Sequence, residues 1–221
     1  MQVSIMSYTR SPYCNISKAA GICYGKFDSS RKRVMRCFEN DHMSVFEHSS
    51  VTFLIEGISR ACTHQLVRHR LASFSQASQR YIKGVDAIVI PKTVNDDEEL
   101  REKYIKMFNK ALDLYWEIID AGIPAEDARY IMPTGVTSDI VVTMNIRELF
   151  HFFDLRMDSH AQWEIRDLAL KMYEACMIQK DDLEYFMEMW ADRNERKLIY
   201  AFRDAESRES EDQTYHKDRG Q

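Results

Sequence analysis

The apolar positions along this chain change period several times, and each change marks an element. Residues 15–25 and 30–39 repeat at helical spacing behind the capping side chains Asn15 and Ser29 or Ser30, and read as two short helices. Ser50 to Glu56 is a β-branched and aromatic run that reads as a strand. From Ser59 a helical pattern runs through Arg70, which would put Gln65 and Arg68 on one face. Ser73 to Tyr81 then alternates and reads as extended chain, with Gln76, Ser78 and Arg80 pointing the same way. Residues 86–91 form another short strand, ended by Pro91. The longest predicted helix covers 96–121, with acids at its start, a stripe of Leu100, Tyr104, Met107, Ala111, Leu114 and Ile118, and Gly122 and Pro124 as stop signals. At 1.5 Å per residue it would be roughly 39 Å long.

A short helix over 124–131, a β-branched stretch at 136–144 and helices near 145–156, 159–179 and 182–191 complete the pattern. Within 159–179, the positions Ile165, Leu168, Met172 and Ala175 form the expected buried stripe. Beyond Arg203 the apolar content vanishes, so residues 203–221 are expected to be a charged, flexible tail. Residues 1–202 hold no repeat and no Gly/Ser-rich linker, and read as one α+β domain.

Composition narrows the function. With 221 residues, 45% of them hydrophobic and 29% charged, the chain can bury a real core. No apolar run is long enough to span a bilayer and no signal segment opens the chain, so a cytoplasmic protein with no membrane partner is expected. The five cysteines are scattered, with no Cys-x-x-Cys pair, which points to neither a disulfide framework nor zinc. A net charge of −5 argues against general nucleic-acid binding, yet a local arginine cluster on an acidic protein remains a trap for small anions.

Such a cluster exists. Arg68, His69, Arg70 and Arg80 are interleaved with Ser73, Ser75, Gln76, Ser78 and Gln79, and with the apolar Leu71, Phe74 and Ala77. Arginine is favoured where a planar fork must grip phosphate or a pyrimidine carbonyl with paired hydrogen bonds. The glycines never fall as Gly-x-Gly, so a dinucleotide would be held by arginines and helix ends and not by a glycine-rich turn. His42 and His48, His64 and His69, and His160 and Glu164 sit at short spacings, but no His-Glu-x-x-His occurs, and no metal is expected.

The order Arg-His-Arg, seven residues, Ser, one residue, Arg over Arg68–Arg80 resembles the signature of the flavin-dependent thymidylate synthases. The resemblance continues upstream in His42-Met43-Ser44-Val45-Phe46-Glu47-His48, and downstream in Asn145-Ile146-Arg147, His151 and Leu155 through Ile165. It covers about residues 14–190. It implies a twisted, mainly antiparallel sheet flanked by long helices, assembled as a homotetramer whose active sites are shared between subunits. It also implies reductive methylation of dUMP to dTMP, with 5,10-methylenetetrahydrofolate as carbon donor and hydride passed from NADPH through FAD.

The same resemblance assigns residues. Ser44, Arg68, His69, Arg70, Asn145, Ile146, Arg147 and His151 would contact FAD, with His42 and Glu47 nearby. Gln65, Leu66, Val67, Arg68, Ala77, Ser78, Gln79, Arg80, Arg129 and Arg156 would hold dUMP, and Gln76 would lie between the two ligands. Two positions depart from the usual pattern: Ser75 stands where Asn is usual, and Gln76 where Glu is frequent. Gln76 is expected to act as a hydrogen-bonding spacer.

Chemistry supports these types. Carbon C5 of uracil is a poor nucleophile unless negative charge can gather at N3 and the carbonyl oxygens, so a guanidinium fixed beside that edge lowers the barrier. Arg156 is the candidate for that role. Ser78 has no base beside it in sequence, and Cys62 lacks the proline and histidine neighbours of a thymidylate synthase that attacks with cysteine. Two other readings stay open: a non-catalytic nucleotide or RNA sensor, and a metal-dependent nucleotide phosphohydrolase built on His42, His160 and Glu164.

Overall fold

The computed structural model describes residues 1–82, 86–179, 182–208 and 214–217. In chain order the elements are β1 (Gln2–Tyr8), α1 (Pro12–Ile22), α2 (Arg31–Glu39), a 3-10 turn (Met43–His48), β2 (Ser50–Ser59), α3 (Arg60–Leu66), β3 (Ser73–Gln76), β4 (Ala87–Val89) and α4 (Lys92–Asn95). There follow α5 (Glu98–Asp120), α6 (Ala125–Ala128), a second 3-10 turn (Arg129–Ile131), β5 (Thr137–Asn145), α7 (Ile146–Arg156), α8 (Trp163–Met177), α9 (Glu184–Glu206) and β6 (Thr214–His216). Helices and an antiparallel sheet are mixed along the chain, the α+β class expected from the pattern.

The sheet has the order β1-β2-β5-β3, every pair antiparallel. Alternation explains its inner face: Val51, Phe53 and Ile55 of β2 and Ile140, Val142 and Met144 of β5 are buried while their neighbours are not. The β2–β5 register slips between Ile55 and Ile58, where Gly57 takes a φ of 71° and its N–H donates to Asp139 at 2.9 Å. Against the inner face pack α7, α8 and α9. Phe153 meets Trp190 at 5.4 Å and Tyr173 at 6.0 Å between ring centres, in edge-to-face contacts.

Helix starts follow local chemistry. Ser30, Ser59, Asp97 and Asn145 each accept a backbone N–H with the side chain, so α2, α3, α5 and α7 begin where a capping residue stands. Ile165, Leu168 and Met172 of α8 are buried as expected, and Ala175 is partly so.

Several expectations fail, each for a physical reason. The helix from Ser59 stops at Leu66, and the chain tightens into a turn in which Arg68 N–H donates to the Gln65 carbonyl. Extended chain ends at Gln76 and not at Tyr81. The Ser78 carbonyl accepts from both Tyr81 and Ile82, and its hydroxyl accepts from Arg80 N–H, so local bonds compete successfully with the ladder. The expected stripe of α5 is half right: Ala111 is buried with Phe108, Leu112 and Tyr115, but Leu100, Met107 and Leu114 are 48%, 51% and 40% exposed. This helix is apolar on two faces, and the chain covers one.

The flexible tail expected from residue 203 is also corrected. Helix α9 bends at Asn194, whose side chain donates to the Trp190 carbonyl, and continues to Glu206. Arg208 is buried against Asp167 at 2.7 Å and against Asp204, which also pairs with Arg166. Thr214–His216 pair with β4. Asp204, Arg208 and Lys217 thus serve internal pairs; residues 209–213 and 218–221 of the expected tail lie outside the described residues.

Two predictions follow from this packing. Phe153→Ala removes a fully buried ring and is expected to cost about 3–5 kcal/mol in urea unfolding; a loss under about 1 kcal/mol would mean the aromatic cluster repacks freely. Burial pushes the Asp167 carboxyl up to about 6, with Arg208 opposing the shift. Its folded value exceeds its unfolded one, so its contribution to stability is complete below about pH 3.9 and is lost as pH rises through about 6. Asp167→Asn should therefore gain stability relative to the parent between about pH 4 and 7; a gap in urea midpoints that stays constant with pH would disprove it.

Candidate active site

Helix α3 has an arginine group at each end. At its first residue, Arg60 donates to the Ala77 carbonyl at 3.2 Å, while its buried Nε has no partner among the described residues. Burial and the nearby positive charge of Arg129 both lower the Arg60 pKa. Arg129 and Arg80 converge on one residue: Arg129 Nε donates to the Glu126 carbonyl at 3.0 Å, and Arg80 Nε to the Glu126 carboxylate at 2.7 Å. A hollow of about 180 Å³ opens beside Ala77, Ser78, Gln79 and Ser138. Ser78 and Gln79 are half-buried there, in the turn closed on the Ser78 carbonyl.

At the other end of α3, Gln65 and Arg68 adjoin Arg156, the last residue of α7. Arg156 is half-buried; its Nη2 reaches the Gln65 carbonyl at 3.4 Å and its Nε donates to His69 Nε2 at 3.0 Å. Burial lowers the Arg156 pKa, and the neighbouring charge of Arg68 adds to the effect. His69 is buried, with Nδ1 at 2.9 Å from Glu148 Oε1, and burial is the main cause of its lowered pKa. The His69 ring also lies edge-on to Phe152 and to His151, at 4.9 and 5.8 Å.

From His151 the site continues along α7. Arg147 is exposed and pairs with Glu47 of the 3-10 turn at 2.5 Å, which ties the His42–Glu47 segment to the helix. His42 and Ser44 are exposed on that segment. The exposed guanidiniums of Arg68 and Arg70 make no hydrogen bond or ion pair among the described residues. They leave two cations available to a diphosphate, which fits a dinucleotide held without a glycine-rich turn.

Gln76 sits between the two groups. Its Nε2 donates to Thr63 of α3 and to Ser138 of β5, both at 3.1 Å, so it bridges helix and sheet as a hydrogen-bonding spacer would. Three assigned residues have side chains turned inward. Leu66 and Ile146 are fully buried in the core and can meet a ligand only through their backbone. The His69 imidazole is spent on Glu148 and Arg156 and acts on the site through the latter. Asn145 uses its side-chain oxygen to cap α7, and Val67 is exposed at the end of α3.

Arg60 was not among the sequence candidates. The available signal was an arginine directly after the capping Ser59, at a helix start where a positive charge gains nothing from the macrodipole.

Nucleophilic alternatives lose ground. Cys62 is fully buried, and burial reinforced by Glu164 raises its pKa well above the usual thiol value, so a thiolate is suppressed. Among the described residues the Ser78 hydroxyl accepts from Arg80 N–H and contacts no base. His42, His160 and Glu164 form no metal site among the described residues: His160 is exposed beside Asp158, and buried Glu164 accepts from Ser59 N–H and its hydroxyl. His69, Glu148 and His151 do place ligand atoms within 4.8 Å of one another. The guanidinium donated to His69 Nε2 opposes a cation there. A larger cavity of about 390 Å³, near Trp163, Asp167, Phe202 and Arg208, is lined by no arginine of either group, and its own arginine is neutralised by Asp167 and Asp204.

Comparison with known proteins agrees with this arrangement. The thymidylate synthase complementing protein family (Thy1) matches residues 4–179. A flavin-dependent thymidylate synthase of Pyrococcus furiosus is 42% identical over an alignment of 220 residues, covering 91% of this chain and 88% of that protein. That of Geobacter sulfurreducens is 42% identical over 187 residues, covering 78% and 80%. Among solved structures, a flavin-dependent thymidylate synthase (ThyX) from Helicobacter pylori, complexed with FAD and dUMP, superimposes with a TM-score of 0.66 at 27% identity, over 79% of this chain and 93% of that one. With its signature arginines gathered at the two ends of one short helix, and with relatives at this level of identity along most of its length, the chain belongs to the flavin-dependent thymidylate synthases.

Proposed function

We propose that Arg156 is the group that makes this thymidylate synthase work on uracil, and that the Arg60, Arg80 and Arg129 group grips the nucleotide phosphate. The enzyme converts dUMP to dTMP with methylenetetrahydrofolate as carbon donor and NADPH as reductant. FAD, when bound, supplies the hydride transfer. Arg68, Arg70, Arg147 and His151 would hold it, with Ser44 and Glu47 on the adjoining turn.

The observation that carries the reading is the hydrogen bonding of Arg156. Its Nε and Nη2 are anchored to His69 and Gln65, and its Nη1 makes no hydrogen bond among the described residues. A donor already fixed before substrate arrives stabilises developing negative charge without reorganisation. Partial burial strengthens that interaction, because water screens it less. Gln76 keeps its amide nitrogen on Thr63 and Ser138 and thereby holds the floor of the site between α3 and β5. Cys62 stays a protonated thiol beneath it, and the methyl transfer proceeds without a cysteine adduct.

The surface around the site supports self-association. Tyr130 and Tyr81 are 84% and 79% exposed, and Leu71, Ile82, Ile131 and the outer face of α5 are exposed too. Apolar area of this extent around an arginine cluster supports burial against further copies of the chain, as a homotetramer in which subunits share each site. No helix among the described residues is long and apolar enough to cross a membrane, and a cytoplasmic location fits a nucleotide-synthesising enzyme.

The protein is expected to purify yellow, to bleach on anaerobic NADPH addition, and to release tritium from C5-labelled dUMP. A colourless preparation that takes up no FAD would discard the reading and favour a nucleotide sensor. Arg156→Ala should lower kcat by roughly 10²–10³, about 2.7–4 kcal/mol of transition-state stabilisation, with flavin content retained. Cys62→Ser should keep turnover within about tenfold of the parent, since only packing changes; a dead Cys62→Ser that still folds would restore the cysteine route.

A further inference from the structure

We propose that Glu148 is a positioning residue: it holds His69 in the Nδ1–H form, so that the other ring nitrogen grips Arg156 and sets the direction of its guanidinium. The inference rests on the reading of Arg156 as the donor to the uracil edge.

Helix geometry creates the relay. Glu148, Phe152 and Arg156 are four residues apart in α7 and share one face. His69, arriving from the turn after α3, lies along that face, edge-on to Phe152 at 4.9 Å, with Glu148 one turn before it and Arg156 one turn after. Both the carboxylate and the imidazole are shielded, with side chains 3% and 2% exposed, so water does not compete for these bonds.

The hydrogen-bond roles are forced. Arginine Nε–H can only donate, so His69 Nε2 must present its lone pair to Arg156 at 3.0 Å. The ring proton then sits on Nδ1, facing Glu148 Oε1 at 2.9 Å, and the carboxylate accepts it. The opposite tautomer would set an N–H against the arginine N–H and a lone pair against the carboxylate. An imidazolium would clash with the arginine alone. Glu148 therefore selects the one form of His69 that can hold Arg156.

The anchor of the relay is itself rigid. Glu148 is the third residue of α7, and its N–H donates to the capping oxygen of Asn145 at 2.8 Å. An anion in the first helical turn is favoured by the macrodipole, so the helix start suits a carboxylate that accepts from His69. With Nε on His69 and Nη2 on Gln65, two edges of the Arg156 fork are fixed and the third is left for substrate.

The test uses the flavin-loaded protein. In ¹⁵N-histidine NMR, the His69 ring, identified by its loss in a His69→Gln sample, is expected to carry its proton on Nδ1 and to stay neutral across about pH 6–8, because burial and then the neighbouring guanidinium disfavour the cation. An Nε2–H or doubly protonated ring would overturn the proposal without any functional assay. Glu148→Ala should lower kcat for tritium release by about 10², the effect of misplacing a catalytic group by roughly 1 Å, with KM for dUMP and flavin reduction by NADPH little changed. Glu148→Gln still offers an acceptor oxygen and should recover to within about tenfold of the parent. Full activity in Glu148→Ala, beside an impaired Arg156→Lys, would sink the relay while leaving the role of Arg156 intact. Parental kcat in Arg156→Lys would sink that role itself.

Discussion

The junction at Asn145 places most of the active site. Strand β5 runs into α7 with no intervening loop, so one residue is both the partner of Ser50 in the sheet and the cap of the helix. The Ile146 N–H donates to the Ser49 carbonyl at 2.9 Å, which fixes the first helical turn against the neighbouring strand. Phe150, Phe152 and Phe153 are then drawn into the core, and their burial sets the rotation of the helix. Once that rotation is set, Arg147 faces the 3-10 turn, His151 faces His69, and Arg156 arrives beside α3. A change in helix phase would move all three together.

Electrostatics gives this geometry its purpose. An acidic protein has carboxylates enough to pair every arginine, yet at both ends of α3 like charges are kept close: Arg60 with Arg129, and Arg68 with Arg156. Each pair raises the free energy of the empty site and lowers the pKa of its more buried member, and an anion relieves both. Such an arrangement costs stability in the folded chain and returns it as preorganised binding. The large hydrophobic core of the sheet, α7, α8 and α9 makes that cost tolerable.

Outside the site, charge is used in the opposite sense. Arg166, Asp204, Arg208 and Asp167 form a compact alternating network that closes the C-terminal end of α9 onto α8. A segment whose composition looks solvated is thereby ordered through residue 208, because Arg208 finds carboxylates one turn back in α9 and on α8, and Asp204 also takes Arg166. The same composition therefore leads to an exposed anion trap in one place and a buried tie in another.

Local chemistry made much of this legible from residues alone. The capping side chains Ser30 and Ser59, the β-branched runs of β2 and β5, and the order of Arg68, His69, Arg70, Ser78 and Arg80 act over a few residues, so those two helix starts, those strands and the family could be read directly, whereas β1 was not read and α1 starts at Pro12, ahead of the expected Asn15. The extent of elements was less legible: the kinked length of α9 and the early end of β3 depend on what packs or bonds nearby. Partner choice was not legible at all. That Arg80 takes Glu126, that Arg147 takes Glu47, and that His69 stands between Glu148 and Arg156 depend on pairs 46, 100, 79 and 87 residues apart, chosen among many equivalent acids. The sequence alone settled which chemistry is present, because residue type and short-range order determine it; the tertiary structure alone decided which arginines are held by internal bonds and which guanidiniums stand without a partner among the described residues, because that depends on packing between distant segments.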